Sequence, residues 1–222
     1  MDPDFNPDSK KYSHIFWDWN GTLLDDTRYC VEINNRMLSA RGMRLIQGVE
    51  EYRGMFFFPV MEYYRAIGFD FEQETFDALA REYNAVYYSN DGYALHRGAE
   101  DVIAAIRGRG IRQIILSASE KNNLLSQVGR FPIAAYFDGI LGVSDIYGNS
   151  KVELALDYIA RNHIDKALFI GDTAHDYETA RAIGADCVLI SNGHQSPERL
   201  SACGVPVLND ITGVIAYIDR GY

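Results

Sequence analysis

Cysteine is scarce in this chain. Cys30, Cys187 and Cys203 are the only three, odd in number and far apart. No CxxC pair or Cys/His cluster stands among them, which argues against a disulfide framework or a zinc site and leaves small buried apolar side chains. Positive charge is also short: 21 Lys and Arg stand against 31 Asp and Glu, a formal net charge of −10. A general nucleic-acid binder needs a basic footprint, and so does a protein that adheres to anionic membrane. No apolar run approaches the ~20 residues of a membrane helix. The N-terminal stretch lacks the basic-then-apolar order of a signal peptide, so residues 1–12 read as a flexible tail and the cytoplasm as the expected location. What is present is ordinary globular composition. Hydrophobic residues make up 47% and charged residues 23% of 222 residues, a length between one domain and two.

Short apolar runs recur at His14–Trp17, Gln113–Leu116, Gly139–Leu141, Ala167–Ile170 and Cys187–Ile190. Between most of them lie amphipathic stretches such as Val102/Ile103/Ile106 and Val152/Leu156/Ile159. Strands alternating with helices predict an α/β fold with a Rossmann-like parallel sheet, whose ligands bind at the carboxyl ends of the strands. Residues 25–94 break the alternation. Cys30/Ile33/Met37/Leu38 and Phe76/Leu79/Ala80/Tyr83/Tyr87 are helical stripes, and Met61/Tyr64/Ile67 suggests a third helix. The expected organisation is a core of residues 13–24 and 95–222 with an α-helical cap, 25–94, inserted after the first strand.

Four polar motifs sit where those strands end or helices begin. Asp18-Trp19-Asn20-Gly21-Thr22 follows the first strand; the glycine lets backbone N–H groups turn toward an anion, although the same residues could form a plain turn. Asp172 and Asp176 follow the strand ending at Ile170. Four residues apart at a helix start, they suit either capping or a hard cation such as Mg²⁺ between two carboxylates. Ser117-Ala118 ends another strand, as a phosphate donor or a helix cap. Lys151 opposes the macrodipole at a helix start, which a bound anion would explain and a solvated lysine would also satisfy.

Taken in chain order, the four motifs resemble the haloacid dehalogenase superfamily of aspartate-dependent phosphohydrolases, and Gly193-His194 resembles its phosphoglycolate-phosphatase branch. The resemblance implies an HAD-like core with a cap, and an enzyme acting on a small phosphorylated metabolite. Asp18 is then the nucleophile that forms an aspartyl-phosphate, and Lys151 pairs with Asp18 and the phosphoryl oxygens. Ser117 and backbone groups near Asn20, Gly21, Thr22 and Ala118 hold the phosphate. Mg²⁺ is ligated by Asp18, the Asn20 carbonyl and Asp172, with Asp176 close by. One position departs from the pattern. The family's acid/base aspartate is Asn20 here, and an amide cannot cycle a proton at neutral pH. The expectation is a phosphatase slowed or altered at that step; the alternative is a catalytically weak phosphate-binding or regulatory protein. Arg53 lies where related caps place a substrate-contacting loop and could clamp a second anionic group. No Lys occurs between Lys11 and Lys121, which argues against Schiff-base chemistry by the cap. His175 is a candidate alternative proton donor, and Asp25-Asp26 are expected to cap a helix.

Overall fold

The computed structural model of the chain describes residues 12–89, 92–144 and 151–220. Strand β1 (His14–Trp17) leads through β2 (Leu24–Asp25) into four helices, α1 (Thr27–Ala40), α2 (Val49–Met55), α3 (Val60–Ala66) and α4 (Phe76–Tyr87). The short strand β3 (Ala94–Leu95) brings the chain back. Alternation follows: α5 (Ala99–Gly108), β4 (Arg112–Glu120), α6 (Lys121–Val128), β5 (Gly139–Val143), α7 (Lys151–Asn162), β6 (Ala167–Gly171), α8 (Ala174–Ala182), β7 (Asp186–Ile190), α9 (Pro197–Ser201), β8 (Val207–Leu208) and α10 (Gly213–Asp219). No helix among the described residues is long and apolar enough to cross a membrane.

Six strands form one sheet in the order β5-β4-β1-β6-β7-β8, and every pairing is parallel. This is the α/β core that the sequence pattern predicts. Strand β1 sits between β4 and β6 and is buried along its length, which explains its unbroken apolar run. Its side chains alternate between two cores. Ile15 and Trp17 pack with Ile115, Leu168 and Val188 on one face. Phe16 packs with Ile114, Leu116 and Phe169 on the other. Burying a side chain such as Phe16 stabilises the fold by about 1.5–3 kcal/mol.

Helices α1–α4 enclose a separate apolar cluster that includes Ile33, Met37, Leu38, Tyr63, Tyr64 and Leu79. The two chain crossings between these helices and the sheet are tied by the antiparallel pair β2 and β3, with Leu24 opposite Leu95. That tie anchors the helices beside the carboxyl end of β1. Two sequence expectations change. Tyr12, counted with the tail, is 2% exposed and its hydroxyl donates to Asp186 at 2.7 Å, so it belongs to the core. Residues 1–11 lie outside the described residues. Residues Tyr52 to Gly54 are not a loop but part of α2, whose seven residues are too few for an apolar stripe to be legible.

Candidate active site

The carboxyl ends of β1 and β6 bring three acids together. Asp18, Asp172 and Asp176 are all buried, and one oxygen from each lies within 4.8 Å of the others. Lys151, at the start of α7, reaches this cluster: its Nζ contacts Asp18 Oδ1 and lies 2.8 Å from Asp176 Oδ1. The lysine is 4% exposed, so its ordinary reading as a solvated side chain fails. The residue before it, Ser150, lies outside the described residues. Thr22 donates its hydroxyl to Asp172 Oδ1 at 2.8 Å. Asp172 Oδ2 accepts the backbone N–H of His194 at 2.6 Å. Asp176 closes a capping box with Thr173 through its Oδ2 while its Oδ1 faces Lys151. Capping and site roles therefore coexist in one carboxylate.

Glycine makes this convergence possible. Gly21 has φ 75°, and a Cβ there would collide with Asp172 and the His194 ring. A Cβ on Gly193 would collide with Asp172 as well.

Negative charge outweighs positive charge in the cluster. Burial, then the neighbouring Asp176, pushes Asp18 up to about 8 despite Lys151. Burial also pushes Asp172 up to about 6. Burial works in the same sense on Asp176, but Lys151 outweighs it and holds that carboxyl below its usual range. Crowded buried carboxylates with an all-oxygen donor set suit a hard divalent cation.

Beside this cluster the structure reveals a second network that sequence reasoning missed. Asp26 lies in the N-cap position of α1, yet its side chain makes no capping bond. Instead its carboxylate accepts Gly21 N–H at 2.9 Å, Asn20 Nδ2 at 3.0 Å and the Tyr87 hydroxyl at 2.5 Å. His194 Nε2 lies 3.1 Å from it. Burial opposes charge on His194, but Asp26 outweighs it and pushes the imidazole up to about 9. The Tyr52 hydroxyl is 3.1 Å from the other ring nitrogen. His96 contacts the Gly21 carbonyl at 2.9 Å. Only the Gly193-His194 pair hinted at this network, because its partners are far apart in sequence.

Asn20 joins this second network to the serines of β4. Its Nδ2 donates to Asp26 and, at 2.6 Å, to the Tyr87 hydroxyl. Its Oδ1 accepts from Ser119 at 2.9 Å and Ser117 at 3.4 Å. These neighbours call for an amide, since a carboxylate would face Asp26 with no donor to offer. Ser117 is buried and Ala118 beside it half-buried; β4 does not end there as the sequence suggests but continues to Glu120, its register with β5 shifting after Ser117.

Arg53 does not stand free as a clamp. Its Nε donates to the Gly193 carbonyl at 2.8 Å, Nη2 to the Asn192 carbonyl at 2.6 Å and Nη1 to Glu50 at 2.8 Å. It joins α2 to the loop that carries His194. Gln195 Nε2 reaching the Phe56 carbonyl and Arg199 Nε reaching the Gly54 carbonyl strengthen the same contact. Arg53→Ala should therefore lower turnover of acidic and neutral esters together and reduce stability by about 1–3 kcal/mol. Parallel steady-state assays and a thermal melt check this; a KM effect confined to acidic esters would restore the clamp. His175, the candidate proton donor, stacks on Phe58 with ring centroids 4.6 Å apart. Burial, more than Lys151, pushes its pKa below the usual imidazole range.

The chain and its fold have counterparts among known proteins. A family model for haloacid dehalogenase-like hydrolases matches residues 15–190. A phosphoglycolate phosphatase of Pseudomonas fluorescens strain Pf-5 is 23% identical over 191 residues, covering 81% of this chain and 70% of that protein. The tyrosine-protein kinase PtkA of Mycobacterium tuberculosis is 26% identical over 186 residues; 81% of this chain matches 62% of the kinase's length. The crystal structure of a putative phosphoglycolate phosphatase from Lactobacillus delbrueckii superposes with a TM-score of 0.79 at 19% identity, covering 94% of this chain and 98% of that one. With the family model spanning most of its length, the chain belongs to the haloacid dehalogenase-like hydrolases.

Proposed function

We propose that the chain is a phosphatase that hydrolyses small phosphomonoesters through an aspartyl-phosphate on Asp18, with Mg²⁺ as cofactor. The observation that carries this reading is the burial of Asp18, Lys151, Asp172 and Asp176 in one contact cluster at the strand ends. A fold without catalytic duties gains little from three buried acids around one lysine. The curated phosphoglycolate phosphatases among its relatives support the substrate class at its coarsest.

In this reading Asp18 attacks phosphorus while Lys151 holds it in place and neutralises part of the incoming charge. Ser117 and the backbone amides at Thr22 and Ala118 receive the phosphoryl oxygens; Gly21, expected to join them, has its N–H committed to Asp26 at 2.9 Å. Asp18, Asp172, the Asn20 carbonyl and Asp176 are the groups that would hold Mg²⁺. When bound, the ion supplies charge neutralisation for an anionic ester meeting an anionic nucleophile. With the ion bound and all three carboxylates ionised, they bring three negative charges, and among the cluster's side chains Lys151 alone supplies one positive charge. In an acidic protein, attraction for an anionic substrate has to be local in this way.

Metal removal tests the reading. Chelation should abolish turnover, and Mg²⁺ alone should restore it. In the absence of substrate, Mg²⁺ at about 100 times its Kd should stabilise the chain by about 2.7 kcal/mol in thermal melts, and Asp172→Asn should erase that gain. Full turnover in the chelated chain would refute the metal assignment. Asn20 favours a second reading, a phosphate-binding protein that turns over weakly or not at all. Phosphate binding with no release of any alcohol or phenol under Mg²⁺ would decide for it.

A further inference from the structure

Two separate features of the site point to the same kind of leaving group. The first is Asn20. Its amide is held by Asp26, Tyr87, Ser117 and Ser119, so the position usually occupied by a proton donor presents none. A leaving alkoxide, nearly as basic as hydroxide, needs that proton, with water itself at about 15.7. A phenolate, at about 10, departs far more readily without one.

The second feature is the surface that α1–α4 turn toward the site loops. Phe56 lies over His194, with ring centroids 5.4 Å apart. Phe58 stacks on His175, one residue before Asp176. The Tyr52 hydroxyl meets His194, and the Tyr87 hydroxyl meets Asn20. Phe56, Phe57 and Phe58 are half-buried, Phe56 and Phe57 resting on the rim of the helical cluster. Arg53, the cation placed to greet a carboxylate, is bound to backbone carbonyls and Glu50. Aromatic faces favour a flat apolar group through offset and edge-to-face contact, and offer little to a small carboxylate.

Resting on the proposed phosphatase reading, we infer that the preferred substrates are aryl phosphomonoesters, bound with the ring against Phe56 and Phe58. Asp18 Oδ forms a bond to phosphorus as the P–O(aryl) bond breaks, and the electron pair leaves with the phenolate oxygen. The phenolate then collects a proton from solvent. Water next attacks phosphorus, regenerating the Asp18 carboxylate and releasing inorganic phosphate, with the surplus proton going to solvent. With Asn20 unable to activate that water, the second step is the slower one for an aryl substrate.

The experiment compares phenyl phosphate, 4-nitrophenyl phosphate, acetyl phosphate, glycerol 3-phosphate and 2-phosphoglycolate on the natural chain with Mg²⁺. Phenyl phosphate should exceed glycerol 3-phosphate in kcat/KM by about 10²–10⁴, the usual worth of general acid–base help. Mixing with 4-nitrophenyl phosphate should release a burst of roughly one nitrophenolate per chain before the steady state. Asn20→Asp should narrow the aryl-to-alkyl ratio by improving the alkyl ester. Phe58→Ala should raise KM for phenyl phosphate several-fold but leave KM for acetyl phosphate, a good leaving group with no ring, nearly unchanged. Equal or better use of 2-phosphoglycolate or glycerol 3-phosphate would overturn the aryl inference and leave the phosphatase reading standing. Silence on all five phosphates would overturn the phosphatase reading itself. Aryl recognition is then judged by calorimetry, with phenylphosphonate binding more tightly than 2-phosphoglycolate in support and the reverse order against.

Discussion

Asp18→Asn should reduce turnover by at least about 10³-fold without weakening the fold. The loss follows from chemistry: a carboxamide oxygen does not displace an alcohol or phenol from phosphorus at a useful rate. The preserved stability follows from electrostatics. In metal-free protein, burial and Asp176 push Asp18 up to about 8, so at neutral pH it is largely protonated and an amide resembles it closely. Lys151 keeps Asp176 at 2.8 Å in either case. The ordinary carboxyl value is 3.8, and the folded chain therefore binds this proton more tightly than the unfolded chain. Stability of the natural chain should fall, relative to Asp18→Asn, as pH rises from about 4 to about 8. Thermal melts across that range in a chelating buffer, with parallel assays under Mg²⁺, check both halves. A site that sacrifices stability for function behaves in this way.

Lys151→Met has the opposite signature, because it harms both stability and rate. The substitution leaves Asp18 and Asp176 buried beside each other with no cation. Removing one partner from a buried ion pair costs about 3–5 kcal/mol, which for a chain of this size is a fall in Tm of roughly 10 °C. Part of that loss should return with Mg²⁺, since the same carboxylates would gain a counter-charge. Turnover should still drop by about 10²–10³, the usual cost of removing one group that stabilises charge in the transition state. Melting curves with and without Mg²⁺ separate the two effects. A variant as stable as the natural chain in chelating buffer would mean that Lys151 is not the cluster's principal counter-charge.

These side chains were legible in the sequence for a local reason. Asp18, Ser117 and Asp172 each follow an apolar run that becomes a buried strand, and Lys151 opens a helix, so chain order alone aligns them at the carboxyl end of the sheet. The sheet itself was legible in the same apolar runs, except for the two-residue strand β8; that strand and the separate pair β2 and β3 are too short to show a period. Asp26 and His194 were not legible as a pair. They are separated by most of the chain, and the His194–Asp26 contact exists only because the loop after β7 folds back over Gly21. Arg53 shows the limit in another way. Its charge and place suggested a substrate clamp, but whether a guanidinium faces substrate or backbone depends on which carbonyls the loop at Asn192 and Gly193 presents. Asn20 was visible as a departure from a family pattern, yet its cause was not: Asp26, six residues later, accepts its amide.

The most direct test of the account is chemical trapping of the covalent intermediate. The natural chain is mixed with 4-nitrophenyl phosphate and Mg²⁺, quenched in acid, reduced with borohydride and digested for peptide mass analysis. An aspartyl-phosphate on Asp18 predicts homoserine at position 18, at a level matching the nitrophenolate burst and absent without substrate. Turnover with position 18 unmodified, or reduction at another carboxylate, would contradict Asp18 as the nucleophile.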